Sequence, residues 1–295
     1  MDAAFIHGII PAMITPMTED EDLDKAGLKG LVDGLIARGV HGVFTLGTAG
    51  EFWALTVEEK RRVYEWTVAY TDGRVPVYLG TCANATGEAV YLAESAQTAG
   101  ADCLSVLTPN FITPSEDEMF AHYEAIATSV DVPILLYDLP SRTGNSLSVR
   151  LVVRLAEAFD NIVGIKDSSG DFTQTLEYLR QCPGGFRVIM GRDTLIYPAL
   201  MHGAAGAIAA SANVAPELSV GIYESYLKGD MAEAMDFQQR LAPLRLAFAL
   251  GTHPAMLKAG AELAGLPGGP PRRPVRRLSD PDREKLRQII AEISR

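Results

Sequence analysis

Short apolar runs alternate with amphipathic segments along almost the whole chain. The runs at 6–14, 41–46, 75–80, 102–107, 132–137, 162–166, 187–190 and 206–210 are apolar at consecutive positions, the signature of strands covered on both faces. Between them the apolar spacing changes to three and four. In 23–38, Leu28, Leu31, Val32, Leu35 and Ile36 form one stripe, and Gly39 stands where a helix ends. Thr56 with Glu59 and Ser115 with Glu118 are capping-box pairs, each opening a helix. Further helices are predicted at 86–99, ending at Gly100, and at 148–159, 171–181 and 216–228. The segment 194–203 is a short one that contains Pro198, and 231–250, 254–264 and 280–294 follow the last strand.

Eight strand–helix alternations with doubly covered strands imply a parallel sheet, and eight units suggest closure. The expected fold is an α/β (β/α)8 TIM barrel with a C-terminal helical appendage. Residues 1–228 would form the barrel and carry the active site, with 229–295 packed on it. A chain of 295 residues fits one such domain. An open doubly wound sheet is the competing topology. It would place a glycine fingerprint after the first strand, where this chain has "TPMTED".

Composition narrows the function. A net charge of −11 speaks against nucleic acid, whose binding rests on neutralising phosphates. The basic run "PPRRPVRRL" at 270–278 is rich in proline and precedes the last helix, so it reads as a solvated connection. No run approaches the ~20 apolar residues of a membrane span. The N-terminus lacks a secretion signal, and the three cysteines are widely spaced, so a cytoplasmic enzyme with reduced thiols is expected. The five histidines show no metal-ligand spacing, and neither metal nor cofactor is expected. His253, in "GTHPAM", is placed near the barrel mouth with a structural role.

Barrel active sites lie at the C-terminal strand tips. Those tips read "GTAGE" (47–51), "TCAN", "TPNF" (108–111), "YDLPSRTG" (137–144), Lys166, "GRD" (191–193) and "SAN" (211–213). A lysine at a strand end ordinarily meets water, and Tyr137 or Arg142 taken alone would be a core aromatic and a surface charge. Together they point elsewhere. Burial at the mouth disfavours a charged lysine, and a neutral amine is what attack on a ketone requires. At an ordinary pKa only roughly one lysine in 2,500 is neutral at pH 7. Tyr137, one strand over, supplies a phenol for proton transfer. Thr48 offers a hydroxyl among the backbone amides of a glycine-flanked turn, a place for a carboxylate. The set suggests an imine-forming enzyme for a 2-oxo acid.

The pieces "GTAGEF", "YDLPSRTGNSL", "GIKDSSGD" and "GAIAASANVAP", in this order and spacing, resemble the dihydrodipicolinate synthase / N-acetylneuraminate lyase family of pyruvate-dependent class I aldolases. The likeness runs from "GIIPAMITP" to "LAGLPGGPPRRPV". It implies that Lys166 forms a Schiff base with pyruvate, that Tyr137 relays protons, and that Thr48 binds the pyruvate carboxylate. Gly191, Asp193 and Ile208 would line the pocket, with Asp193 and Arg142 recognising the remote half of the substrate. The family is usually a homotetramer in which the loop after strand 4 reaches a neighbour's site. In the synthases that loop reads "TPYY"; here Asn110 and Phe111 take its last two positions, and one relay hydroxyl is gone. Ala49 replaces the second threonine of the turn, leaving backbone amides to hold the carboxylate. Both departures count against a synthase, whereas Arg142 matches the arginine that holds an incoming aldehyde's carboxylate. The leading expectation is reversible cleavage of a 2-oxo-3-deoxy sugar acid to pyruvate and an aldehyde. Condensation of pyruvate with aspartate semialdehyde is the alternative, followed by dehydration of a keto-deoxy acid or a non-catalytic pyruvate-binding role.

Overall fold

The computed structural model describes residue 1 and residues 3–294. Among them lie eight parallel strands: β1 (Gly8–Pro11), β2 (Val43–Thr45), β3 (Val77–Gly80), β4 (Cys103–Leu107), β5 (Ile134–Asp138), β6 (Ile162–Asp167), β7 (Arg187–Met190) and β8 (Gly206–Ala209). From β2 to β8 each pairs with its sequence neighbour, and β8 pairs with β1. A bridge between Ala12 and Phe44, with bonds from Met13 N to Phe44 O and from His41 N to Ile9 O, joins β1 to β2 and closes the ring. This is the (β/α)8 barrel expected from the alternation.

The helices on the outer ring are α1 (Lys25–Ala37), α2 (Val57–Thr71), α3 (Thr86–Ala99), α4 (Glu116–Ala127), α5 (Pro140–Thr143), α6 (Val149–Ala158), α7 (Phe172–Gln181), α8 (Ile196–Met201) and α9 (Pro216–Lys228). Both capping boxes form. Thr56 accepts from the Glu59 amide and Ser115 from the Glu118 amide, while each glutamate reaches back to its cap. The α1 stripe is buried at Leu28, Leu31, Val32 and Leu35. Each such side chain contributes about 1.5–3 kcal/mol on leaving water. After the barrel come α10 (Met231–Leu246), α11 (Ala255–Leu263) and α12 (Asp280–Ile293). No helix among the described residues is long and apolar enough to cross a membrane.

Several boundaries differ from expectation for local reasons. The apolar run 6–14 extends beyond the four-residue β1, because its flanks are core-packed loop rather than ladder. The predicted helix 231–250 contains Pro243, ends at Leu246 and continues as a 3-10 turn, Ala247–Leu250. The segment 194–203 divides into a 3-10 turn, Asp193–Leu195, and α8. The one-turn α5 was hidden in "LPSRTG": Pro140 starts it and Gly144, at φ 77°, ends it.

One irregularity sets the register at the mouth. Between β5 and β6 the pairing shifts after Ile134↔Ile162, so that Leu135 faces Gly164 and Tyr137 faces Lys166. Val163 is the extra residue. Gly164 is needed there, since a Cβ would lie 2.3 Å from Arg187 O and 2.7 Å from Leu135 Cδ2.

Candidate active site

A cavity of ≈ 640 Å³ opens at the C-terminal end of the barrel. Its floor is Lys166, only 3% exposed. The ammonium nitrogen sits 3.8 Å from the Tyr137 ring centre and 4.6 Å from that of Phe44. Burial dominates the electrostatics, lowering the Lys166 pKa to about 7 against opposing pulls from Cys82 and Asp193. About half the amine is then neutral at pH 7.

Tyr137 is also buried, and burial pushes its phenol up to about 12 despite hydrogen bonds with Thr48 and Ser168. Its hydroxyl lies 3.3 Å from Thr48 Oγ1. Thr48 and Ala49 both line the cavity. The turn that carries them is closed by bonds from Gly50 N to Gly47 O and from Glu51 N to Thr48 O. Among the described residues, the amides of Thr48 and Ala49 donate to no protein acceptor. Two unspent amides and a partly neutral amine thus line one cavity, groups able in general to hold an anion and to attack a carbonyl.

The remaining expected residues divide. Gly191, Asp193, Ile208 and Arg142 line the same cavity. A Cβ at Gly191 would lie 1.9 Å from Ser168 Oγ, so a side chain there would displace Ser168. Asp193 is buried, and its Oδ1 accepts from the Ser211 amide and hydroxyl, the latter at 2.7 Å. Asn110 and Phe111 are not among the lining residues. Asn110 pairs with Asn84, and Phe111 is 97% exposed with φ +73°.

Other residues of the site were missed from the sequence. Ser168 follows the lysine by two residues and lines the wall with Arg192, whose guanidinium is held by the Ser168 and Ser169 carbonyls. Behind the wall, Asp138 and Asp167 pair across β5 and β6. Asp138 accepts from the Leu147 amide and from Gln174, fixing the loop that carries Arg142. Asp167 accepts from Ser169 and from Thr175, fixing the turn after Lys166. The roof comes from outside the barrel: Arg245 at the end of α10, Phe248, and His253 before α11. His253 is therefore a cavity residue. Burial, then Arg142, Arg245 and Lys166, push its pKa down to about 4, so it is neutral at pH 7.

The chain matches the model of the dihydrodipicolinate synthetase family over residues 5–293. It is 39% identical to the 4-hydroxy-tetrahydrodipicolinate synthase of Methanopyrus kandleri, covering 98% of this chain and 96% of that one. With the enzyme of the same name from Methanoculleus marisnigri the identity is 41%, over 96% and 98%. Among solved structures, it superposes with a TM-score of 0.95 on YagE, a prophage protein of E. coli K12 crystallised with pyruvate. That pair is 34% identical over 98% and 99% of the two chains. Like these relatives in length, fold and sequence, the chain belongs to the dihydrodipicolinate synthetase family of pyruvate-dependent lyases.

Proposed function

We propose that Lys166 forms a Schiff base with pyruvate and that the resulting enamine makes or breaks a carbon–carbon bond with an aldehyde. The carrying observation is the buried amine, its pKa lowered to about 7, level with Tyr137 and sharing one cavity with the Thr48–Ala49 turn. The neutral Nζ attacks C2 of pyruvate, and the carbinolamine loses water to give an iminium. The iminium withdraws electrons from C3, which releases a proton and becomes the enamine carbon. That carbon adds to the aldehyde, and water then cleaves the imine to free the product and the amine. Run backwards, the same steps cleave an aldol. Tyr137, with Thr48 beside it, carries protons to and from the carbinolamine oxygen. The Thr48 and Ala49 amides hold the carboxylate.

For the aldehyde, the names of the curated relatives support aspartate semialdehyde, and with it 4-hydroxy-tetrahydrodipicolinate synthase activity, better than the sugar-acid cleavage expected first. Arg142 on the cavity wall favours the same reading. The sugar-acid reading keeps one argument, the phenylalanine at 111 where a synthase has a hydroxyl. Phe111, exposed at the tip of its loop, suits a homotetramer in which it enters a neighbour's mouth. Three cysteines without a disulfide fit a cytoplasmic setting. The test is consumption of pyruvate with aspartate semialdehyde, run beside release of pyruvate from a panel of 2-oxo-3-deoxy sugar acids. Turnover confined to the sugar acids would reverse the order of the two readings.

A further inference from the structure

The chain carries −11 overall, yet the cavity is lined by Lys166 and three arginines against a single carboxylate, Asp193. The arginines are not equivalent. Arg192 is spent on the Ser168 and Ser169 carbonyls. The Arg142 guanidinium has no protein acceptor among the described residues, and the family resemblance already accounts for it. The Arg245 guanidinium has no hydrogen bond among the described residues either. Its nearest anion is Asp193 Oδ2, 3.5 Å from Nε, longer than a good charge-assisted bond. The other Asp193 oxygen is committed to Ser211.

Arg245 is nonetheless held in place. Its guanidinium carbon lies over the Phe248 ring, 4.4 Å from the centre, a cation–π contact that spends none of the N–H donors on an oxygen. Pre-ordering of this kind lowers the entropy cost of each bond formed later. Asp193 partly neutralises the cation without using its donors.

We propose that Arg245 is a specificity residue of this cavity, a second donor beside Arg142 to the carboxylate of the aldehyde reactant, while Asp193 and Phe248 position it. The inference rests on the Schiff-base reading. It adds that selection of the second reactant depends on α10, outside the barrel strands. The neutral His253 beside it is an acceptor or a donor, not a competing cation.

The test uses enzyme first treated with pyruvate and borohydride, so that Lys166 carries a reduced adduct unable to condense and the amide pocket is filled. Calorimetry then measures the binding of succinic semialdehyde against butanal, which lacks the carboxylate. The wild-type adduct should favour the acid by about tenfold or more, the range of a charge-assisted bond. Arg245→Gln, with Arg142 still in place, should lower that preference severalfold, and Arg245→Lys should restore part of it. Thermal melts show that both variants are folded. An equal preference in wild type and Arg245→Gln overturns the proposal, as does an absence of preference in wild type. Glyceraldehyde 3-phosphate against glyceraldehyde forms a second arm, and tenfold tighter selection of phosphate than of carboxylate overturns the carboxylate assignment. If pyruvate leaves no adduct, the Schiff-base reading fails, and the same titrations on untreated protein still decide the role of Arg245.

Discussion

Replacing Glu51 with glutamine tests how the carboxylate-binding turn is held. Glu51 ends "GTAGE" at φ 57° and is 0% exposed; its partner Lys258, on α11, is 1% exposed. The two ions meet at 2.6 Å. Lys258 also donates to Pro270 O, and Glu51 Oε2 accepts from the Arg272 amide. Arg272 in turn grips Glu59 through two bonds of 2.8 and 2.9 Å. The connection read from sequence as solvated is thus, in part, a strap across the strand 2 tip. Removing one partner of a buried pair strands the other charge and costs about 3–5 kcal/mol. Burial already lowers the Lys258 pKa, so loss of its proton limits the cost and favours the lower end. At ~2 °C per kcal/mol for a chain of this size, Tm should fall by roughly 6–10 °C in a calorimetric scan. The double variant Glu51→Gln/Lys258→Met leaves no orphaned ion and should recover at least half of that loss. A fall of less than about 1 °C in the single variant, or a double variant as damaged as the sum of two singles, would refute the reasoning. Because Glu51 follows Thr48 by three residues, the single variant should also raise the KM for pyruvate.

Three further outcomes follow from the site. The rate of borohydride trapping with pyruvate should rise with pH around a midpoint near 7, since protonation below it removes the nucleophile; a midpoint near 10 would mean a solvated lysine. Tyr137→Phe removes the proton carrier and should lower kcat by about 10²–10⁴, with the fold intact by circular dichroism. Gly191→Ala forces Ser168 aside and should cut kcat/KM by ~10²-fold in steady-state assays, the scale of a 1 Å misplacement.

The barrel was legible because each of its strands is an apolar run and most outer helices carry their own stripe or cap, the short α5 and α8 excepted. That Lys166, Tyr137 and Thr48 share one cavity was legible for the same reason, since Tyr137 and Lys166 lie near the ends of β5 and β6 and Thr48 in the turn after β2. The roof was not. Arg245 and Phe248 lie on helical segments beyond the eighth unit, and their place over the mouth follows from long-range packing that no local spacing encodes; of the roof only His253 was expected near the mouth. Nor does local pattern reveal the extra residue Val163, which sets Lys166 level with Tyr137. The loop at 108–111 is the reverse case. Its chemistry is readable, but Asn110 and Phe111 lie outside the cavity of their own chain.

The most direct measurement is the intact mass of the protein after incubation with pyruvate and borohydride, followed by peptide mapping. One pyruvate-sized addition, confined to Lys166 and absent from Lys166→Arg, is the predicted result. An unmodified protein, or label spread over surface lysines and unchanged in the variant, would contradict a covalent role for that nitrogen.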